Sequence, residues 1–145
     1  MRLQQIVVVE DSDEDFDTVR DAARRGGMPH PILRARSGTE CLSLLRGSLG
    51  SRDAQTLLVL LDLNTHGDDG RDVLRDVRSD ATLGILPVVV LSASANIRDL
   101  QFCYANGANA YHVKPVDHGL HLKVLQDIFA YWLGSVVLPA RNSSA

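Results

Sequence analysis

Leu57-Leu58-Val59-Leu60-Leu61-Asp62-Leu63-Asn64-Thr65-His66-Gly67-Asp68-Asp69-Gly70 is the stretch that decides the fold. Leu57 to Leu61 are apolar without a break, and the run stops at an acid. Such a run predicts a strand buried on both faces, with helices covering both sides of its sheet. Asp62 then stands where the strand leaves the core. In open α/β sheets, sites form outside the carboxyl ends of the strands. Asp also starts turns, so the neighbouring strands must decide between the two roles.

Upstream, Gln5 to Val9 is a second apolar run, ending at Glu10-Asp11. Ser12 or Asp11 can cap the helix that follows, which carries Phe16, Val19 and Ala23 inward and ends at Gly26-Gly27. Ile32 to Arg36 predicts a short edge strand. Ser37 opens a second helix striped by Cys41, Leu44 and Leu45, and Gly47 to Gln55 reads as a loop. Downstream of Gly70, a helix carries Val73, Leu74 and Val77. Pro87 opens the strand Val88 to Leu91, which ends at Ser92-Ala93. A helix over about 96–105 turns Ile97, Leu100 and Cys103 inward. Asn109 to Val113 is the fifth strand, followed by Lys114-Pro115 and a helix over about 117–133. This alternation predicts a flavodoxin-like, doubly wound, five-stranded parallel sheet of order 2-1-3-4-5 with five helices.

The composition fits one soluble domain. The chain has 145 residues, 23% of them charged and 45% hydrophobic. Its net charge of -3 makes no electrostatic case for nucleic acid. Arg71, Arg75 and Arg78 share a helical face with Asp72 and Asp76 among them, as a solvated face would. Cys41 and Cys103 form no CxxC pair and are predicted to pack as small hydrophobes. No signal-peptide core and no membrane-length apolar run is found, so a cytoplasmic protein away from membranes is expected.

The strand ends now collect Glu10, Asp11, Asp62, Ser92 and Lys114 at one edge. In the 2-1-3-4-5 order, strands 1 and 3 are neighbours, and the acids share a pocket. Two unit charges about 4 Å apart at an effective dielectric near 20 repel by roughly 4 kcal/mol. A cation relieves this, and Mg2+ suits oxygen ligands. Lys114 can hold a phosphoryl oxygen, Ser92 can hydrogen-bond another, and a carboxylate can be the nucleophile.

The set Glu10-Asp11, Asp62, Ser92-Ala93 and Lys114-Pro115 resembles the receiver domain of two-component response regulators over about residues 5–133. The resemblance implies that Asp62 is the phosphoacceptor. It implies Mg2+ on Glu10, Asp11, Asp62 and the Asn64 backbone carbonyl. Ser92 and Lys114 would contact the phosphoryl group, with Asn64 and Ala93 beside it. Tyr111 matches the aromatic that switches with Ser92, and the Lys114–Pro115 peptide is expected to be cis. The chain departs from the pattern at His66, where receivers commonly carry proline. Ser92 is the less usual of Ser and Thr at its position.

Asp62-Leu63-Asn64, Asp69-Gly70-Arg71, Pro87 to Leu91 and the ending Trp132-Leu133 to Leu138-Pro139 are similar to the small regulators that partner bacterial and cyanobacterial phytochromes. That likeness implies a phytochrome-type histidine kinase and a single-domain switch signalling through changed protein contacts. It implies no enzyme beyond the chain's own Mg-dependent phosphorylation and dephosphorylation. The receiver is expected over 1–134 and a tail over 135–145, apolar at 136–139 and disordered beyond. Helices 4 and 5 carry more apolar surface than one seam needs. A homodimer through Phe129, Trp132, Leu133, Val136, Val137 and Leu138 is expected, with a contribution from the fifth strand.

Other assignments fare worse. Asp11 to Asp15 imitates a calcium loop, but position six is Phe16 and position twelve is Ala22. Asp11 and Asp13 resemble the motif of aspartate-nucleophile phosphatases, but Asp15 stands where that motif needs Thr or Val. A receiver-like module without phosphorylation is disfavoured by the intact acids, hydroxyl and lysine. Asp13 to Asp17 are assigned to the positive start of helix 1. His118 and His121 are expected at a surface or interface, and His112 on the opposite face from Tyr111.

Overall fold

The computed structural model describes residues 3–50, 53–65 and 68–139, the side chains at 68 and 69 excepted. His66, Gly67 and the end of the tail lie outside them. The elements alternate as β1 (Leu3–Val9), α1 (Asp13–Arg25), β2 (Ile32–Ala35), α2 (Gly38–Leu49), β3 (Ala54–Leu61), α3 (Gly70–Ser79), β4 (Val88–Ser92), α4 (Ile97–Ala105), β5 (Ala110–Val113) and α5 (His118–Ala130). All pairings in the main sheet are parallel, in the order β2-β1-β3-β4-β5. This is the expected doubly wound topology.

The unbroken apolar strands are explained by two cores. Val7, Val9, Val59, Leu61, Val88 and Val90 face α2, α3 and α4 in one cluster. Ile6, Val8, Leu58, Leu60, Val89 and Leu91 face α1 and α5 in the other. Successive residues of a strand point to opposite faces, so both faces need apolar residues.

Four helices begin on a side-chain cap: Ser12 accepts from the Asp15 amide, Ser37 from Glu40, Asn96 from Arg98 and Asp117 from Leu120. Each satisfies an orphan donor of the first turn.

Several local expectations change. Helix α2 continues through Gly47, Ser48 and Leu49, and β3 begins at Ala54, so the expected loop over 47–55 is short. Ser48 is buried there and its hydroxyl pairs with that of Thr56 at 3.2 Å. Between β3 and α3, Asn64–Thr65 pairs antiparallel with Asp68–Asp69, a ladder too short to leave a sequence period. Ile97 begins α4 but is 62% exposed. The last helix, expected over about 117–133, is regular only to Ala130, and a π-helical turn over Tyr131–Ser135 carries it past Gly134.

Of the α3 arginines only Arg75 is exposed as a solvated face requires, and Arg71 and Arg78 are half-buried. Arg78 donates to the carbonyls of Gly107 (2.8 Å) and Leu86 (2.6 Å) and to Asn109 Oδ1 (2.8 Å). Arg71 pairs with Asp99, and Arg75 stacks over Phe102. Periodicity places these residues on a helix but cannot show the neighbouring loops that receive them.

Candidate functional site: an acidic pocket at the carboxyl edge

Register assembles the pocket. Val9 pairs with Leu61, so the next residues, Glu10 and Asp62, leave adjacent strands side by side. Ser92 pairs with Val113, and the Lys114 amide then donates to the Ser92 carbonyl at 2.7 Å. The carboxylate oxygens of Glu10, Asp11 and Asp62 lie within 4.8 Å of one another. Glu10 is 4% exposed, Asp62 7% and Ser92 0%.

Glu10 is held at several atoms. Its Oε1 accepts from Lys114 Nζ at 2.8 Å and its Oε2 from the Ser12 amide at 3.3 Å. Its carbonyl accepts from Arg34 Nε at 2.9 Å. Asp62 Oδ1 accepts from the Asn64 amide at 3.0 Å, and Oδ2 from Lys114 Nζ at 3.0 Å. The Asn64 side-chain amide reaches Ser92 Oγ at 3.5 Å, and Ser92 Oγ also accepts from the Ser94 amide at 3.2 Å.

Burial and charge oppose each other here. Burial pushes the Glu10 carboxyl up to about 7, against the pull of Lys114, while the Asp62 charge adds to the rise. Burial disfavours the Lys114 ammonium, but its hydrogen bonds with Glu10 and Asp15 and the charge of Asp62 prevail and hold it protonated above its ordinary range. Glu10, Asp11, Asp15 and Asp62 outnumber the single ammonium of Lys114. The donor set is all carboxylate oxygen, which fits a hard divalent cation such as Mg2+ or Mn2+.

Most expected residues converge, but not all belong to the pocket. Ala93 is exposed beside Ser92. The Tyr111 hydroxyl donates to the Ser94 carbonyl at 2.8 Å, which ties it to the loop after β4. The Lys114–Pro115 peptide is trans, correcting the expected cis form. The two forms of an X–Pro bond differ by only about 0.5–1 kcal/mol, so sequence alone does not choose between them. Lys114 reaches Glu10 and Asp62 directly.

Asp15 was missed. Its Oδ2 accepts from Lys114 Nζ at 2.9 Å. Its place among the acids that begin α1 masked it; the only sequence signal is one helical turn of separation from Asp11. His121 also differs from expectation. It is 4% exposed, its Nε2 has no partner, and burial lowers its pKa. His118 is exposed as expected. His112 is half-buried, and burial lowers its pKa as well.

The expected dimer residues divide. Phe129 is 5% exposed and belongs to the core of this chain. Trp132, Leu133 and Leu138 pack partly against that core, whereas Val137 is 75% exposed.

Comparison with known proteins agrees with this geometry. The response regulator receiver domain model matches residues 6–126. The chain belongs to the response regulator receiver family. Among solved structures it is similar to the phosphorylated cyanobacterial phytochrome response regulator RcpA, at 34% identity, TM-score 0.86, and coverage of 95% of this chain and 99% of that one. Response regulator Rcp1 from Synechocystis is 32% identical over 93% of this chain and 92% of its own length. The structure of its Mn2+-bound form has a TM-score of 0.86 and covers 94% of this chain and 99% of that one. The probable methanogenesis regulatory protein FilR2 from Methanothrix harundinacea is 33% identical over 89% of this chain and 83% of its own length. The protein is thus a receiver related to phytochrome response regulators. No helix among the described residues is long and apolar enough to cross a membrane.

Proposed function

We propose that this chain is a cytoplasmic phosphorylation switch that takes a phosphoryl group from a histidine kinase, of the phytochrome type, on Asp62. The observation that carries this is Lys114 Nζ, which lies 3.0 Å from Asp62 and 2.8 Å from Glu10 inside a buried acidic pocket. A lysine so placed can meet a phosphoryl oxygen as soon as one arrives on Asp62.

The Asp62 carboxylate attacks phosphorus, the bond to the donor histidine nitrogen breaks, and that nitrogen leaves with the electron pair. Asp62 is held for this by the Asn64 amide on Oδ1. The carboxylates of Glu10, Asp11 and Asp62 would hold Mg2+, with the Asn64 carbonyl added by the family resemblance, and the bound ion would offset the charge of the phosphoryl oxygens. Ser92 offers its hydroxyl to a further oxygen, and Lys114 its ammonium. The Ser94 amide donates to Ser92 Oγ and the Tyr111 hydroxyl to the Ser94 carbonyl, so a shift of buried Ser92 would draw on the loop after β4 and on Tyr111. The surface of α4, β5 and α5 would change with it.

The chain turns over no external substrate in this scheme. It signals through protein contacts, including a homodimer. The phytochrome partner is supported by the likeness to RcpA and Rcp1. With acetyl phosphate and Mg2+, the wild-type chain should gain a label that alkali and hydroxylamine remove, and Asp62→Asn should not. A labelled Asp62→Asn would remove the assignment. Transfer from a phytochrome kinase, compared with an unrelated sensor kinase, tests the partner.

A further inference from the structure

We propose that Asp15 is a positioning residue for Lys114: a carboxylate outside the metal and phosphoryl groups that keeps the ammonium aimed at Asp62. The inference rests on the phosphorylation reading above.

Lysine is a point charge on a flexible stem, with three donors. Here Nζ bonds Glu10 at 2.8 Å, Asp15 at 2.9 Å and Asp62 at 3.0 Å. Glu10 and Asp62 both belong to the carboxylate set that converges within 4.8 Å, and Asp15 does not. When a cation and a phosphoryl group engage Glu10 and Asp62, those oxygens are shared or lost to the lysine. Asp15 alone stays committed to it.

Its own position is well determined. The Ser12 hydroxyl accepts from the Asp15 amide at 3.2 Å, which fixes the first turn of α1. The next residue, Phe16, is 8% exposed, with the guanidinium of Arg34 4.8 Å and that of Arg20 5.3 Å from its ring centre. Two other acids of this segment are committed elsewhere: Asp13 pairs with Arg34 and Arg36, and Asp17 with Arg20. The helix dipole accounts for acids at this helix start in general. It does not account for Asp15 meeting a lysine that follows β5.

Asp15→Asn keeps the shape and removes the charge. It should slow labelling by acetyl phosphate about tenfold, the scale of one charge-assisted hydrogen bond. The Kd for beryllofluoride with Mg2+ should rise by a similar factor, while the Kd for Mg2+ alone and the thermal midpoint stay close to wild type. In a Lys114→Ala background, adding Asp15→Asn should change neither rate nor Kd, because the partner is already gone. Wild-type labelling with an unchanged Asp15→Asn rate would overturn this proposal alone. So would equal slowing by Asp15→Asn with and without Lys114. A wild-type chain that takes no label overturns the phosphorylation reading, and this proposal with it.

Discussion

Gly70 stands against Leu63: a β-carbon on Gly70 would lie 2.7 Å from Leu63 Cα and 3.0 Å from the Asp62 carbonyl oxygen. The Gly70 amide donates to the Leu63 carbonyl at 3.1 Å, closing the turn. The start of α3 thus lies directly behind the acid at the end of β3. Only a residue without a side chain fits, because both close neighbours are backbone.

Gly70→Ala should therefore push the Asp62 loop outward. Overpacking of this kind costs about 1–3 kcal/mol. Urea unfolding should show that loss, and calorimetry should show weaker Mg2+ binding. Unchanged stability and metal affinity would mean that the loop yields without strain.

Arg78→Met should destabilise the fold without touching the pocket. The guanidinium bridges the Gly107 and Leu86 carbonyls and Asn109, and Asn109 in turn accepts from the Val88 amide at 2.8 Å. Orphaning the two carbonyls costs about 2–4 kcal/mol in all, while Asn109 keeps the Val88 amide. Lysine should not rescue the loss, because a point charge cannot span acceptors arranged for a planar fork. The thermal midpoint of both variants is the measurement, with acetyl phosphate labelling below the transition expected to continue.

Cys41 should resist thiol reagents in the folded protein. It is 0% exposed, and burial pushes its thiol up to about 12. The reactive thiolate is the deprotonated form, so raising the pH from neutral towards 9 should not open a fast labelling phase at this residue. Mass spectrometry after a timed pulse of reagent should find Cys41 modified only at the rate of unfolding. Rapid native labelling would contradict its packing.

Val137→Asp should weaken the proposed homodimer. Val137 and Tyr131 are 75% and 56% exposed, whereas Phe129 is committed to this chain's own core. A charge at Val137 should lower the solution mass by sedimentation at unchanged helical content. Equal masses for variant and wild type would exclude Val137 from the contact.

In the sequence alone, Ile6 to Val9, Leu57 to Leu61 and Val88 to Leu91 already determined a parallel sheet covered on both faces, because each run is apolar at consecutive positions. Glu10, Asp62 and Ser92 were legible for the same reason, as the first polar residues after each run, and Lys114 as the residue that leaves the fifth strand before Pro115. Only the tertiary structure decided what depends on contacts between distant segments. Asp15 looked like any acid at a helix start until Lys114 was found beside it. Arg78 looked solvated until the loops around Gly107 and Leu86 closed on it. Phe129 looked available to a partner until the Ile6–Val8 face of the sheet covered it. The Lys114–Pro115 bond was left open by a small local energy difference. Periodicity records which way a side chain points along its own element, and it holds no record of what stands opposite.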